Sequence, residues 1–435
     1  MPSGTTRQLS GWLDVAQEIG ERLVRTAIWD GRCCNWLDRE PSRDALAGRG
    51  TGITVRALGP DAYSGTSGVG TFLAHLWTAT GDTRVYQTAR AALRQAVRYA
   101  DNVPPHARQG MYAGWPGIAL LAWRAGHLLG CDTLLEWAPR IALRAPTDGD
   151  EFDLIHGRAG AVVALVSLAE LAGRPELLDL AVRLGDRLLA DANRRKVGWS
   201  WSGKVTRQRR DLTGLSHGAA GAGYGLLELH RATGDERYGS AAAKAFAYEQ
   251  FWFDPREGNW PDFRHESTPP GRGAPYAYQT WWCHGAPGIG LSRRRGVEIL
   301  GDARLMDQIK VARSTTAAAV EQGLRAGANF SLCHGLTGTA ELTGELGRGS
   351  AAALRVAEAG VERFAARGRP WPCGTTAGES LGLLLGLAGI GHFYLRLHDP
   401  RVPSVLVPHQ LGTAQTARKT SAQKVPDRAA DVAAL

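Results

Sequence analysis

Seven times along the chain, two glycines three residues apart stand at the head of an apolar run: Gly65/Gly68, Gly114/Gly117, Gly157/Gly160, Gly218/Gly221, Gly285/Gly288, Gly335/Gly338 and Gly386/Gly389. The first glycines are spaced 43 to 67 residues apart, room for two helices and a loop, and self-similarity at such a period marks a repeat architecture. Apolar residues at three- and four-residue spacing define seven further, amphipathic segments near 9–28, 82–100, 131–146, 174–193, 235–253, 302–324 and 350–368. Turns such as ATGDTR, ATGDER and LGDARL separate the two kinds of segment. Their glycine suits the left-handed end of one helix, and their aspartate caps the start of the next.

A helix that is apolar nearly all round must be buried, whereas its amphipathic partner faces water on one side. Seven such pairs closing in a circle give an inner and an outer ring, an all-α fold of the (α/α)7 toroid type, with an open solenoid as the alternative. A chain of 435 residues, 44% of them hydrophobic, can bury the core this requires. The toroid is expected over residues 1–401, and the polar, aperiodic stretch 402–435 reads as a flexible tail. Two long insertions, near 193–214 and 252–282, are expected to fold over the glycine-rich end and shape a cleft.

The net charge of +9 favours an acidic partner surface, but no zinc-finger spacing or aromatic-interleaved basic motif points to nucleic acid. The apolar runs are broken before they could span a bilayer and no secretory signal pattern opens the sequence, so a soluble, cytoplasmic protein without membrane insertion is expected. Six cysteines are too sparse for a disulfide framework.

In four consecutive units the residue before the first glycine is histidine: His156, His217, His284 and His334. In two of them it follows a cysteine, Cys283 and Cys333. One Cys-His pair is most simply a buried thiol beside a turn histidine. Two pairs at the same phase of neighbouring units are brought together by ring closure, and two thiolates with imidazole select zinc. If all four residues bound, the site would be closed and structural; three ligands with an open position would be catalytic. Spacing leaves both readings open. Cys33, Cys34, Cys131 and Cys373 read as buried structural thiols.

The motifs FDLIHG, GLSHG, WWCHGAPGIGL and LCHGLTG on a seven-unit helical frame resemble the lanthionine synthetase C-like family, which comprises stand-alone lanthipeptide cyclases and the cyclase domains of bifunctional synthetases. The resemblance runs from about residue 10 to about residue 400. It implies zinc held by Cys283, Cys333 and His334, with His217 as the acid/base residue and Asp153 as a further active-site position, read as the orienting partner of His217. Two positions depart from the family pattern. His284 stands where stand-alone cyclases often carry tyrosine, as in many bifunctional enzymes, and Gln279 stands where some members carry arginine. Tyrosine is a poor zinc ligand, and two loops meeting at a tetrahedral ion cannot easily present four side chains and still admit a substrate thiol. His284 is therefore expected beside the metal, with a part in turnover, while His334 ligates. His156 is assigned no role.

The activity the resemblance implies is zinc-dependent addition of peptide cysteine thiolates to dehydroalanine or dehydrobutyrine, forming lanthionine rings in a dehydrated precursor peptide, with a separate dehydratase and an exporter as further partners. The alternatives are a relative that adds a small thiol such as glutathione to dehydrated proteins, and a non-catalytic peptide-binding scaffold stapled by zinc. A toroidal glycosidase would need a carboxylate pair across the cleft, and no repeated carboxylate stands at the loop end.

Overall fold

The computed structural model describes residues 11–42, 52–203, 210–265, 276–345 and 351–412. Among them are fourteen α-helices. Seven follow the glycine pairs: α2 (Thr66–Thr80), α4 (Trp115–Leu129), α6 (Arg158–Ala172), α8 (Ala219–Thr233), α10 (Ala286–Leu300), α12 (Leu336–Thr343) and α14 (Leu387–His398). The amphipathic set is α1 (Trp12–Thr26), α3 (Thr83–Arg98), α5 (Asp132–Ala142), α7 (Pro175–Ala190), α9 (Glu236–Trp252), α11 (Leu305–Ala326) and α13 (Ala351–Arg363). Burial separates the two as patterning requires. Every residue of α6 from Arg158 to Ala169 is buried, whereas α7 buries a stripe of Leu177, Leu180, Ala181, Leu184 and Leu188. The turns between them are built as expected: Gly81 and Gly234 end their helices at φ of 68° and 71°, and Asp82 and Asp235 accept the first free backbone N–H groups of α3 and α9.

Neighbouring glycine-headed helices touch in chain order, and the last of them, α14, packs against the first, α2. The ring is closed. Six units are hairpins of an inner helix and the outer helix that follows it; the seventh is assembled from the two ends of the chain, α1 lying along α14. Three two-stranded antiparallel ribbons add to the helices: β1 (Ile28–Asp30) with β2 (Cys33–Asn35), β3 (Leu37–Pro41) with β4 (Ile53–Ala57), and β5 (Asn193–Arg195) with β6 (Gly198–Ser200).

The glycine pairs answer to close packing. A methyl group on the second glycine of any unit would lie 1.4 Å (Gly117) to 2.4 Å (Gly68) from the carbonyl oxygen of the residue six positions earlier, the same offset in all seven units. Each loop is thus laid across the start of its own helix. Backbone hydrogen bonds then join the loops side by side: Leu384 N to Tyr63 O, Tyr63 N to Tyr112 O, Tyr112 N to Ile155 O, Leu154 N to Ser216 O, Ser216 N to Cys283 O, and Cys333 N to Leu384 O, at 2.8–3.3 Å. Six of the seven steps around the ring are bridged. Between Cys283 and Cys333 no such bond exists among the described residues.

The tail expected from Val402 starts later. Residues 402–408 and Leu411 are buried. Tyr112 and Trp282 donate to the carbonyls of Val405 and Leu406 at 2.7 and 2.8 Å, Arg124 of α4 donates to Leu411 O, and Tyr224 of α8 meets His409. Contacts to several inner helices place this segment inside the ring, where it fills the space the helices enclose. The sequence reading missed it because a plug whose only regular element is one short 3-10 helix, Pro408–Gly412, is too short to show a periodicity. Residues 413–435 lie outside the described residues. Leu406→Ala is expected to cost about 2–4 kcal/mol in urea unfolding, as for a buried leucine; a change within about 0.5 kcal/mol, typical of an exposed tail, would contradict the plug.

Candidate metal and acid–base site

All four loop histidines and both loop cysteines lie at the glycine-rich end, each presented by the last residues before an inner helix. The ligand atoms of Cys283, Cys333 and His334 lie within 4.8 Å of one another. Both cysteines are buried and His334 is half-buried. Cys283 is held well below the ordinary thiol range, first by the hydrogen bond from Cys333, and then by His334, both acting against burial. Cys333 is pushed up by burial and by the neighbouring Cys283. Its sulfur accepts a 2.9 Å hydrogen bond from the Tyr63 hydroxyl. The Nε2 of His334 lies 2.9 Å from Gly374 O, which fixes Nε2 as the protonated nitrogen and leaves Nδ1 for ligation. Two buried sulfurs and an imidazole oriented by a backbone carbonyl fit a zinc ion.

His284 is placed differently from His334 although the two occupy the same position in successive units. It is 1% exposed, and neither ring nitrogen has a hydrogen-bond partner among the described residues. Its Nδ1 is 3.9 Å from Asp262 Oδ1, and burial lowers its pKa to about 4, so the ring is neutral at neutral pH. The local cause is at Gly285, the only helix-leading glycine of the seven with positive φ (93°). A side chain there would be strained and would meet Gln279 O. The turned backbone lets Trp281 N bond to His284 O at 2.9 Å.

Asp153, 2% exposed, accepts from the backbone N–H of His156 (2.6 Å) and Gly157 (3.1 Å) at Oδ1, and from His217 Nδ1 (2.6 Å) at Oδ2. Burial works to raise its pKa, but the His217 charge and the hydrogen bonds from His156 and His217 overcome this and hold the carboxyl well below its usual range. The rings of His156, His217 and His284 stack in a row, with centroids 5.7 and 5.8 Å apart.

These groups line a cavity of about 920 Å³ that includes Cys283, Cys333, His334, His156, His217, Tyr63 and Arg264. Sequence reasoning missed Tyr63 and Arg264. Tyr63 stands in the first unit at the position of Cys283 and Cys333 in theirs, so the repeat phase was the signal that could have found it. Arg264 comes from the second insertion and sits in the field of both loop thiols and of His284, while Asp262 grips its Nε and Nη2 at 2.7–3.2 Å. Of the first insertion, residues 193–203 and 210–214 do not line the cavity and residues 204–209 lie outside the described residues; among the described residues the outer wall is built from residues 56–64 and 95–107.

The same architecture recurs in a solved structure described as nisin cyclase, 19% identical, with a TM-score of 0.58 over 81% of this chain and 92% of that one. It is a lanthipeptide cyclase-like fold. A looser likeness extends to the unsaturated glucuronyl hydrolase of Bacillus sp. GL1, 12% identical, with a TM-score of 0.44 over 93% and 98% of the two chains. Residues 56–407 match the family described as lanthionine synthetase C-like protein, and the chain belongs to that family. No helix among the described residues is long and apolar enough to cross a membrane.

Cys283→Ala, Cys333→Ala and His334→Ala are expected to abolish stoichiometric zinc in elemental analysis while leaving helical circular dichroism intact, because the ligands sit on loops above a core already packed. His284→Ala should keep one zinc per chain. Tyr63→Phe should retain the ion with affinity lowered about tenfold, the effect of losing one hydrogen bond to a ligand sulfur.

Proposed function

We propose that the protein forms thioether rings in a dehydrated peptide. A peptide cysteine adds across the alkene of dehydroalanine or dehydrobutyrine: sulfur bonds to the β-carbon, a proton is delivered to the α-carbon, and the thiol proton is removed, so nothing is lost and no redox partner is needed. The observation that carries this reading is that a Cys–Cys–His cluster and an aspartate-oriented histidine open on one cavity. A zinc staple has no use for a proton carrier beside it.

Cys283, Cys333 and His334 would hold the zinc ion, which when bound lowers the pKa of a substrate thiol and keeps its sulfur nucleophilic. Asp153 fixes the Nδ1–H tautomer of His217, leaving Nε2 as the basic nitrogen that takes the thiol proton or returns one to the α-carbon. Arg264 has an Nη1 with no hydrogen bond to the described residues, suited to the carbonyl oxygen on which negative charge develops as sulfur adds. His284, neutral and stacked on His217, limits the tilt of that ring. The cavity lies at the upper end of the about 300–1,000 Å³ common for ligand sites, enough to admit a peptide segment.

His217→Asn should keep zinc and slow cyclisation by about two to four orders of magnitude, read as persistence of alkylatable thiol at constant mass. An unchanged rate would remove His217 from the chemistry. Arg264→Ala should slow the addition by about 10²-fold with zinc retained, and guanidinium in solution should restore part of the rate; absence of rescue would make Arg264 a loop anchor. Products heavier by one glutathione, formed in place of rings when glutathione is added, would move the nucleophile from the peptide to a small thiol.

A further inference from the structure

His156 has no task in the chemistry above, yet it is built into the site. It shares Asp153 with His217, its Nδ1 lying 3.6 Å from the same Oδ2 that His217 Nδ1 meets at 2.6 Å. The ligand atoms of Asp153, His156 and His217 all fall within 4.8 Å of one another. We propose that these three residues form a second divalent-cation site, distinct from the cysteine cluster, whose occupation withdraws His217 from proton transfer and makes excess zinc a brake on the enzyme.

The donor set is one carboxylate and two imidazoles, a combination that binds zinc with a position left open. Tetrahedral ligation at about 2.0 Å sets ligand atoms about 3.3 Å apart; the observed 2.6 and 3.6 Å bracket that spacing. The third separation, between the two imidazole nitrogens, is within 4.8 Å, so side-chain movements of about an ångström bring the three donors to that spacing. The carboxylate is already oriented as a one-oxygen ligand, because the backbone N–H groups of His156 and Gly157 occupy Oδ1 and leave Oδ2 to the imidazoles. The two rings come from equivalent loop positions of adjacent units; they lie nearly parallel, at 14°, and a rotation of the exposed His156 ring about its Cβ–Cγ bond turns both lone pairs toward a shared ion. His156 and His217 both face the cavity, where His156 retains 36% side-chain exposure, giving a metal ion a route in and solvent ligands room to complete its shell. Ligation replaces the proton on His217 Nδ1, which passes to solvent. The ring is then pinned to the cation and loses the Asp153 hydrogen bond that set its tautomer.

The cation site stands on the geometry alone, while its braking effect rests on the cyclase reading; two readouts keep them apart. Cobalt titrated into protein carrying one equivalent of zinc should give a second bound equivalent whose spectrum lacks sulfur-to-metal charge transfer. His156→Ala should bind that equivalent at least tenfold more weakly and keep the first zinc, and His156→Gln should behave alike, which guards against a folding defect in one variant. In the cyclisation assay, zinc in excess of one equivalent should slow the wild type at least tenfold and leave His156→Ala unaffected. Absence of a second cobalt equivalent, or its undiminished retention in both variants, would overturn the site. A second equivalent lost in the variants but without effect on the rate would overturn the brake. A protein that shows the second equivalent yet forms no rings would refute the cyclase reading and leave the cation site standing.

Discussion

The approach of one glycine to one carbonyl, repeated seven times, carries the rest of the structure. At the second glycine of each pair the preceding loop passes so close to the helix that a methyl group would fall within 2.4 Å of a carbonyl oxygen six residues back. Laying each loop across its helix in this way aligns the loops edge to edge, so that backbone N–H groups of one reach carbonyls of the next. Any larger residue at these points would lift a loop and break the ladder on both sides. The ladder also sets the phase at which the residues before the helices face the ring's end, which is why His156, His217 and His334 from three units line one cavity, with His284 packed behind it.

The ladder has one gap, and the cysteine cluster occupies it. Between the fifth and sixth units no backbone bond joins the loops among the described residues, and Gly285 adopts the positive φ that turns its loop inward onto itself. Two thiols that any other step would hold apart by a hydrogen-bonded ladder come together there instead. A cation bound by Cys283 and Cys333 would bridge that step, tying the ring where the peptide backbone does not. The same turn breaks the equivalence of two histidines that the sequence makes identical in context: His334 is oriented by Gly374 toward the sulfurs, and His284 is sealed away with both nitrogens unpartnered.

Much of this was legible in the residues because it depends on local pattern. The glycine pairs marked the inner helices, the amphipathic spacing marked the outer ones, and the repeat phase brought Cys283, Cys333, His334 and His217 to one end, while Asp153 was singled out by the family resemblance alone. What was not legible depends on long-range packing. Residues 402–412 fill the ring with only one short 3-10 turn, Pro408–Gly412, of their own. Arg264 reaches the cavity from an insertion whose path no periodicity describes. His156 looked idle because its link to Asp153 through a shared oxygen is a matter of fractions of an ångström. Gly285 was one of seven similar glycines until its φ was seen.

The central claim is that Cys283, Cys333 and His334 hold a zinc ion with a position open to a substrate thiol, beside a histidine that moves the proton. X-ray absorption at the zinc edge, on the protein alone and with a dehydrated cysteine-containing peptide, tests this most directly. The account predicts two sulfur and one imidazole ligand with a light fourth donor in the free protein, and a third sulfur replacing that donor when the peptide is added. Two sulfurs and two imidazoles, unchanged by peptide, would contradict it and make the metal a structural clasp for the gap in the ring.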